Sequence, residues 1–256
     1  MNILVCVKRV PETGGRVSLT ADEREIDTRF LGFTVSPHEE CATEEAVRLV
    51  EANGGSSTVL TLGPEAASDQ LRAAMAIGVD RAILLKTDGQ DWDPVATAAA
   101  IVEAIRAEAA GGTAYDLILF GNEAADSGDF QVGIRVALAL GLPSISGVKS
   151  LEIRDGIAAA RREAGGGWEV FEVPLPAVVA VREGINLPRY PSVPGRLRAK
   201  KKEIETSSPS PIAGGPTKIR LRLPAETEGR VEILGTGAEA APAVVDLLER
   251  IGVLGG

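Results

Sequence analysis

Tyr115-Asp116-Leu117-Ile118-Leu119-Phe120-Gly121, then Asn122 to Phe130, then Gln131-Val132-Gly133 through Pro143, is the stretch whose reading decides the fold. Residues 115–120 are a short apolar run, which reads as a parallel strand buried on both faces. Gly121 ends it. Residues 122–130 are small, polar and acidic, as a loop should be. From about Ser127 or Asp129 onward, the spacing of Val132, Val136, Ala139 and Leu140 suits one face of a helix, closed by Gly141 and Pro143. In an open α/β sheet, the order strand, glycine, polar loop, helix start places a ligand beyond the strand's carboxyl end. Free N–H groups at a helix start can hold a phosphate, and Gly128 and Gly133 would let backbone approach it closely. The same pattern also fits an ordinary βα connection. Spacing alone leaves both readings open.

The rest of the chain supports the sheet. Residues 2–8 read as a first strand, followed by a turn-rich loop at 9–15. Residues 17–20 and 24–28 alternate and suit a small hairpin. Ser36-Pro37-His38-Glu39 is a helix start. Ser36 caps, Pro37 suits the first helical position and Glu39 completes a capping box. That helix runs to about Asn53. Strands at 58–62 and 81–86 alternate with helices at 65–77 and 94–110. This alternation predicts an α/β fold with a doubly wound, mainly parallel Rossmann-like sheet.

After Pro143 the period changes. Segments 148–153, 157–162, 168–173 and 177–181 read as antiparallel strands finishing one sheet edge. Residues 185–194 are irregular. Arg196, Arg198, Lys200, Lys201 and Lys202 read as a solvated charged helix rather than a nucleic-acid patch. Residues 207–216 form a Ser/Pro/Gly-rich linker, 218–223 a further strand, and 239–251 a final amphipathic helix. The expected organisation is a nucleotide-binding α/β domain at 1–205, then a linker and C-terminal arm at 206–256. Such an arm either folds back on its own body or reaches a partner.

The balance of 27 Lys and Arg against 36 Asp and Glu, a net charge of −9, argues against nucleic acid as a partner. The cysteines, Cys6 and Cys41, lack metal-ligand spacing, and with one histidine a zinc site is not expected. His38 reads as a solvated helix-start residue. No apolar run approaches the ~20 residues that span a bilayer, so no membrane insertion is expected. Met1-Asn2 leads straight into a strand, so no signal peptide is expected. A cytoplasmic location is expected.

Several ordered segments together resemble the β subunit of electron transfer flavoprotein. They are Val5 to Pro11, Glu44 to Leu49, Gly78 to Arg81, Gly121 to Gly133, Arg162 to Glu169 with Pro176 to Val179, Asn186 to Tyr190, and Ala199 to Ile204. The resemblance implies a nucleotide-binding α/β fold of the adenine nucleotide α-hydrolase-like kind, and a heterodimer with an α subunit, in which FAD is shared with that subunit. It implies electron transport from flavin dehydrogenases to an acceptor such as a quinone oxidoreductase, and no catalytic residue of the chain's own. It also implies that AMP, or a second FAD in the electron-bifurcating type that oxidises NADH, is held by this subunit. The residues matching that site are Cys6, Val7, Ser36, Pro37, Leu62, Gly63, Gly121, Asn122, Glu123, Ala124, Asp126, Ser127, Gly128, Asp129, Phe130, Gln131, Val132 and Gly133. Glu163 matches a residue facing the α subunit. A recognition loop at about 183–195, with Ile185, Asn186, Leu187, Pro188, Arg189 and Tyr190, would dock the dehydrogenase, Ile185 serving as its apolar anchor.

The sequence also departs from the family pattern. Glu123 stands where a Gln is usual, and Asp126-Ser127-Gly128-Asp129-Phe130 breaks the acidic run of the AMP-binding type. Gln131-Val132-Gly133 is closer to the bifurcating type. Ile185-Asn186-Leu187-Pro188 replaces Leu-Asn-Glu-Pro. An α/β protein that hydrolyses, ligates or senses adenine nucleotides would be a different class of reading. Neither Gly-x-x-x-x-Gly-Lys nor Ser-Gly-Gly occurs to support a hydrolase or ligase, and a nucleotide sensor would not need residues 185–204 or the tail.

Overall fold

β1 (Asn2–Val7) lies at the middle of the sheet because every side chain after Asn2 is apolar. Its alternate residues feed two separate cores. Ile3, Val5 and Val7 pack with α1 (Pro37–Asn53) and α2 (Ser68–Ile77). Leu4 and Cys6 pack with α3 (Pro94–Ala110) and α4 (Val132–Leu140) on the other face. The computed structural model describes residues 1–14, 17–225 and 231–254. The end of the 9–15 loop and part of the 206–256 segment therefore lie outside the described residues.

Across the large sheet the strands lie in the order β11 (Glu205–Ser207), β5 (Arg81–Lys86), β4 (Ser56–Gly63), β1, β6 (Leu117–Gly121), β10 (Ala177–Val181), β7 (Ser144–Arg154), β8 (Ile157–Ala164) and β9 (Gly167–Pro174). β4 and β6 flank β1, and β5 lies beyond β4, all parallel. The chain winds outward from β1 through α1 and α2. It then crosses by α3 to β6 on the other side of β1. The order therefore reverses between β1 and β6, where Val7 and Gly121 mark adjacent carboxyl ends. Such a reversal opens a crevice for ligands. A small pair, β2 (Val10–Pro11) and β3 (Phe33–Thr34), stands apart from this sheet.

β10 (Ala177–Val181) corrects the sequence reading. It is not an antiparallel edge strand but lies inside the sheet, parallel to both β6 and β7 (Ser144–Arg154). The reason is its composition: Ala-Val-Val-Ala-Val is apolar on both faces and needs neighbours on both sides. In the large sheet the described antiparallel pairings are those of β8 (Ile157–Ala164) with the outer half of β7 and with β9 (Gly167–Pro174), so β8 alone runs against the other strands.

Other boundaries shift for local reasons. α4 begins at Val132 rather than at residues 127–129, because Gly128 (φ 76°) and Asp129 (φ 39°) are left-handed and cannot start a right-handed helix. The 17–28 hairpin is reduced to one bridge, Leu19 with Ile26. α5 (Val193–Lys201) carries the expected exposed cations Arg196, Arg198, Lys200 and Lys201. Lys202 instead donates to the Val79 and Asp80 carbonyls at 2.9 and 3.0 Å. β11 (Glu205–Ser207) is a further edge strand, parallel to β5. Residues 218–223 form no strand. The chain divides into two compact units, residues 1–220 and 221–256. The second contains α6 (Ala241–Arg250), none of whose residues is fully buried.

Candidate functional site

The crevice is built around the start of α1. The capping box forms as the sequence predicts, with Glu39 Oε2 accepting from the Ser36 N–H at 3.0 Å. Glu39 does a second thing that the sequence did not announce: Oε1 accepts from the Lys8 N–H at 2.9 Å, fastening the end of β1 to the helix. Burial pushes the Glu39 carboxyl up to about 8, against the opposing pull of the two N–H groups and the Lys8 charge. Gly121 is obligatory beside it. A Cβ there would lie 2.6 Å from Glu39 Cγ and 3.0 Å from the Glu39 nitrogen.

The 122–131 loop closes on itself. Ala124 and Gly128 exchange two backbone hydrogen bonds of 2.9 Å, a turn that needs the positive φ of Gly128. Asp126 turns inward to pair with Lys8 Nζ at 2.7 Å, and Ser127 Oγ lies 3.3 Å from the same ammonium. Burial alone would lower the Lys8 ammonium, but Asp91, Asp126 and Asp129 outweigh it and raise it. Ser127 Oγ also donates to Asp129 at 3.0 Å. No side chain caps α4, whose first N–H groups follow this turn. Gly133 packs that helix closely on β6, since a Cβ there would lie 3.1 Å from the Phe120 ring.

The structure therefore gathers Val7, Ser36, Pro37, Gly121 and the 122–131 loop at one place. Leu62 and Gly63 sit at the end of the adjacent strand, tied to it where the Thr61 hydroxyl donates to the Val7 carbonyl at 2.8 Å. Cys6 is buried toward α3 and α4, and burial pushes its thiol up, so its side chain takes no part in the crevice. Phe130 stands exposed beyond the turn.

His38 is not the solvated residue that the sequence suggested. Its ring is only 14% exposed. Nδ1 accepts from the Glu183 N–H at 2.8 Å, so the ring proton sits on Nε2 and faces Glu123 Oε1 at 2.9 Å. The Ser36 hydroxyl donates to the Glu123 carbonyl at 3.2 Å. One turn of α1 thus holds both the 122–131 loop and the start of the 183–190 loop.

The 183–190 loop lies along α1. Ile185, expected to stand free of the core, is half-buried against it. Leu187 and Tyr190 point away, 91% and 95% exposed. Asn186 and Arg189 between them are bonded to α1 carboxylates. Glu163 is elsewhere, on β8 opposite Trp168 and three strands across the sheet from β6.

The family model of the electron transfer flavoprotein domain matches residues 26–212. The electron transfer flavoprotein β subunit of Syntrophomonas wolfei is 37% identical over 222 residues, covering 86% of this chain and 84% of that protein. The chain belongs to the electron transfer flavoprotein β-subunit family. The β subunits of Bacillus subtilis, at 34% identity over 97% of each chain, and of Megasphaera elsdenii, at 31% over 96% of each, agree.

The family match spans the 122–131 loop, the 183–190 loop and all of α1. Lys8, His38, Glu44, Glu45 and Glu51 were not singled out as site residues from the sequence. For Lys8 a signal existed: a cation directly at a strand's carboxyl end, in a chain with an acidic loop ahead. For His38 none did, because its partners lie 85 and 145 residues away. Among the described residues no group of three or more His, Cys, Asp or Glu side chains could hold a metal ion. Among them, no helix is long and apolar enough to cross a membrane.

Proposed function

We propose that this chain is the β subunit of a two-chain electron transfer flavoprotein that takes electrons from flavin dehydrogenases to an acceptor such as a quinone oxidoreductase, with AMP held in its crevice. The observation that carries the nucleotide reading is the closed turn 124–128 at the strand-order reversal, followed by an α4 start that no side chain caps. The donor set fits a phosphate: uncapped N–H groups, the Ser127 hydroxyl, and a lysine that already neutralises the nearest loop acid. Asp126 and Asp129 orient the turn rather than meet the phosphate, since like charges repel. The FAD, shared with the α subunit, supplies the redox chemistry when bound; this chain binds and orients. Glu163 belongs to the side facing the α subunit. Residues after about 206 form the arm that grips it, with Val244 and Ile251 of its apolar stripe exposed.

A second reading has its own observation. The loop reads Gln131-Val132-Gly133 and places Phe130 in the open, which suits a larger ligand, a second FAD of the bifurcating type. Acid release of nucleotides from the purified two-chain complex separates the two. One FAD and one AMP per complex is the expected result, and two FAD with NADH oxidation would establish the second reading. In the Gly128→Val variant the crevice nucleotide should fall well below half occupancy. Unchanged occupancy would remove this loop from the site.

A further inference from the structure

We propose that Glu44 and Glu51 of α1, acting through Arg189, are positioning residues that hold the 183–190 loop in the one conformation presenting Leu187 and Tyr190 to a flavin dehydrogenase. The proposal rests on the electron transfer from flavin dehydrogenases proposed above and on the docking role that the family resemblance implies for this loop. It is carried by an alternation along the loop. Ile185 packs inward on the core. The Asn186 amide donates to the Cys41 carbonyl at 3.0 Å and to Glu45 Oε2 at 2.8 Å. Leu187 projects outward. The Arg189 guanidinium then grips Glu44 through Nε and Nη2 at 2.9 Å each and Glu51 through Nη1 and Nη2 at 2.7 and 2.9 Å. Its backbone N–H also donates to Glu44 at 3.1 Å. Tyr190 projects outward again.

Two features of this clasp exceed what an ordinary surface loop requires. The Glu44 side chain is 5% exposed, so its charge is removed from water and needs the bidentate guanidinium facing it. The loop it holds shows water a leucine and a tyrosine over nearly their whole surface. Folding alone gains nothing from fixing those two. A partner does gain, because a loop ordered in advance loses little conformational entropy on docking. Arginine is required rather than lysine, since only the planar fork meets two carboxylates at once.

The test uses the intact two-chain complex. The donor is a purified flavin dehydrogenase, reduced with its own substrate, that saturably reduces the wild-type complex. Arg189→Met alone strands a buried carboxylate, so the double variant Glu44→Leu with Arg189→Met is measured beside it, together with Arg189→Lys and Leu187→Ala. In the double variant, KM for the dehydrogenase should rise about tenfold. Its kcat and FAD content should be unchanged, and amide exchange at 183–190 should quicken. Arg189→Lys should recover only part of the KM. Unchanged KM in the double variant, with Leu187→Ala still impaired, overturns the positioning role. An unchanged KM in Leu187→Ala shows that Leu187 is not the side chain presented, and overturns the positioning role proposed for the clasp.

Discussion

The 122–131 and 183–190 loops are both fastened to α1, yet they are built in opposite senses. The first turns its charge inward. Asp126 pairs with Lys8 under the turn, and its backbone bonds close between Ala124 and Gly128. The second has only a single, longer turn bond at its start, from the Ile185 N–H to the Arg182 carbonyl at 3.4 Å. It borrows order from the flank of the helix, through Asn186 and Arg189, and turns apolar side chains outward. A ligand held between strand ends needs polar donors gathered around a closed backbone. A protein partner needs apolar surface displayed by a rigid one. The difference teaches how one helix serves both: its first turn holds the crevice, the stretch from Cys41 to Glu51 holds the 183–190 loop, and His38 bonds to each. Each loop also sits over a carboxyl raised by burial, Glu39 under the crevice and Glu45 under Asn186.

The comparison breaks most visibly at Gly121. Gly121→Ala would drive a methyl group into the Glu39 backbone, which cannot yield as a flexible side-chain tip could. The expected cost is about 3 kcal/mol in urea unfolding, with loss of the crevice nucleotide. Substitutions at Leu187, which touches no core, should leave the unfolding midpoint where it was. A normal midpoint for Gly121→Ala would show that α1 and β6 are less tightly joined than their separation implies.

Much of this was legible in the residues. Apolar runs bounded by glycine and proline located every strand from β4 to β6, and Ser36-Pro37-His38-Glu39 announced a capping box that formed. Strand direction was not legible: an apolar run such as 177–181 says that it is buried, not which way it points or between which neighbours. The start of α4 was misplaced because periodicity does not report the left-handed backbone at Asp129. In the candidate site, the loop that folds locally could be read, since Gly128 and its acids are neighbours in sequence. The clasps could not. Arg189 reaches Glu44 across 145 residues, and no local pattern encodes a meeting of that range.

Acidity tests the crevice half of the comparison. Glu39 binds its proton more tightly in the folded chain, at about 8, than at the ordinary value of 4.5. Its contribution to stability is therefore complete below about pH 4.5 and is lost as the pH rises through about 8. Between pH 5 and 8 the wild type should lose stability relative to Glu39→Gln, which carries no titrating group there. Thermal unfolding of both proteins at several pH values measures this difference. Parallel curves would mean that the N–H groups of Ser36 and Lys8 hold the carboxylate ionised throughout, despite its burial.

The smallest effect should separate two neighbours in the 183–190 loop. Ile185 is half-buried against the core and Leu187 is almost wholly exposed, although one residue lies between them and both are apolar. Truncating Ile185 to alanine removes packed methylenes and should cost about 1 kcal/mol, a fall of a few degrees in Tm. The loop would still be held by Asn186 and Arg189, so FAD content should not change. Truncating Leu187 removes nothing from the core, so Tm should stay constant. If Leu187 is the apolar anchor, its loss falls on the dehydrogenase reaction alone and slows flavin reduction at low donor concentration. The reverse pattern, a stable Ile185→Ala that docks poorly beside a silent Leu187→Ala, would place the anchor at Ile185. The loop would then have to lift from α1 on docking, and the rigidity that sets it apart from the crevice loop would be a property of the unpartnered chain only.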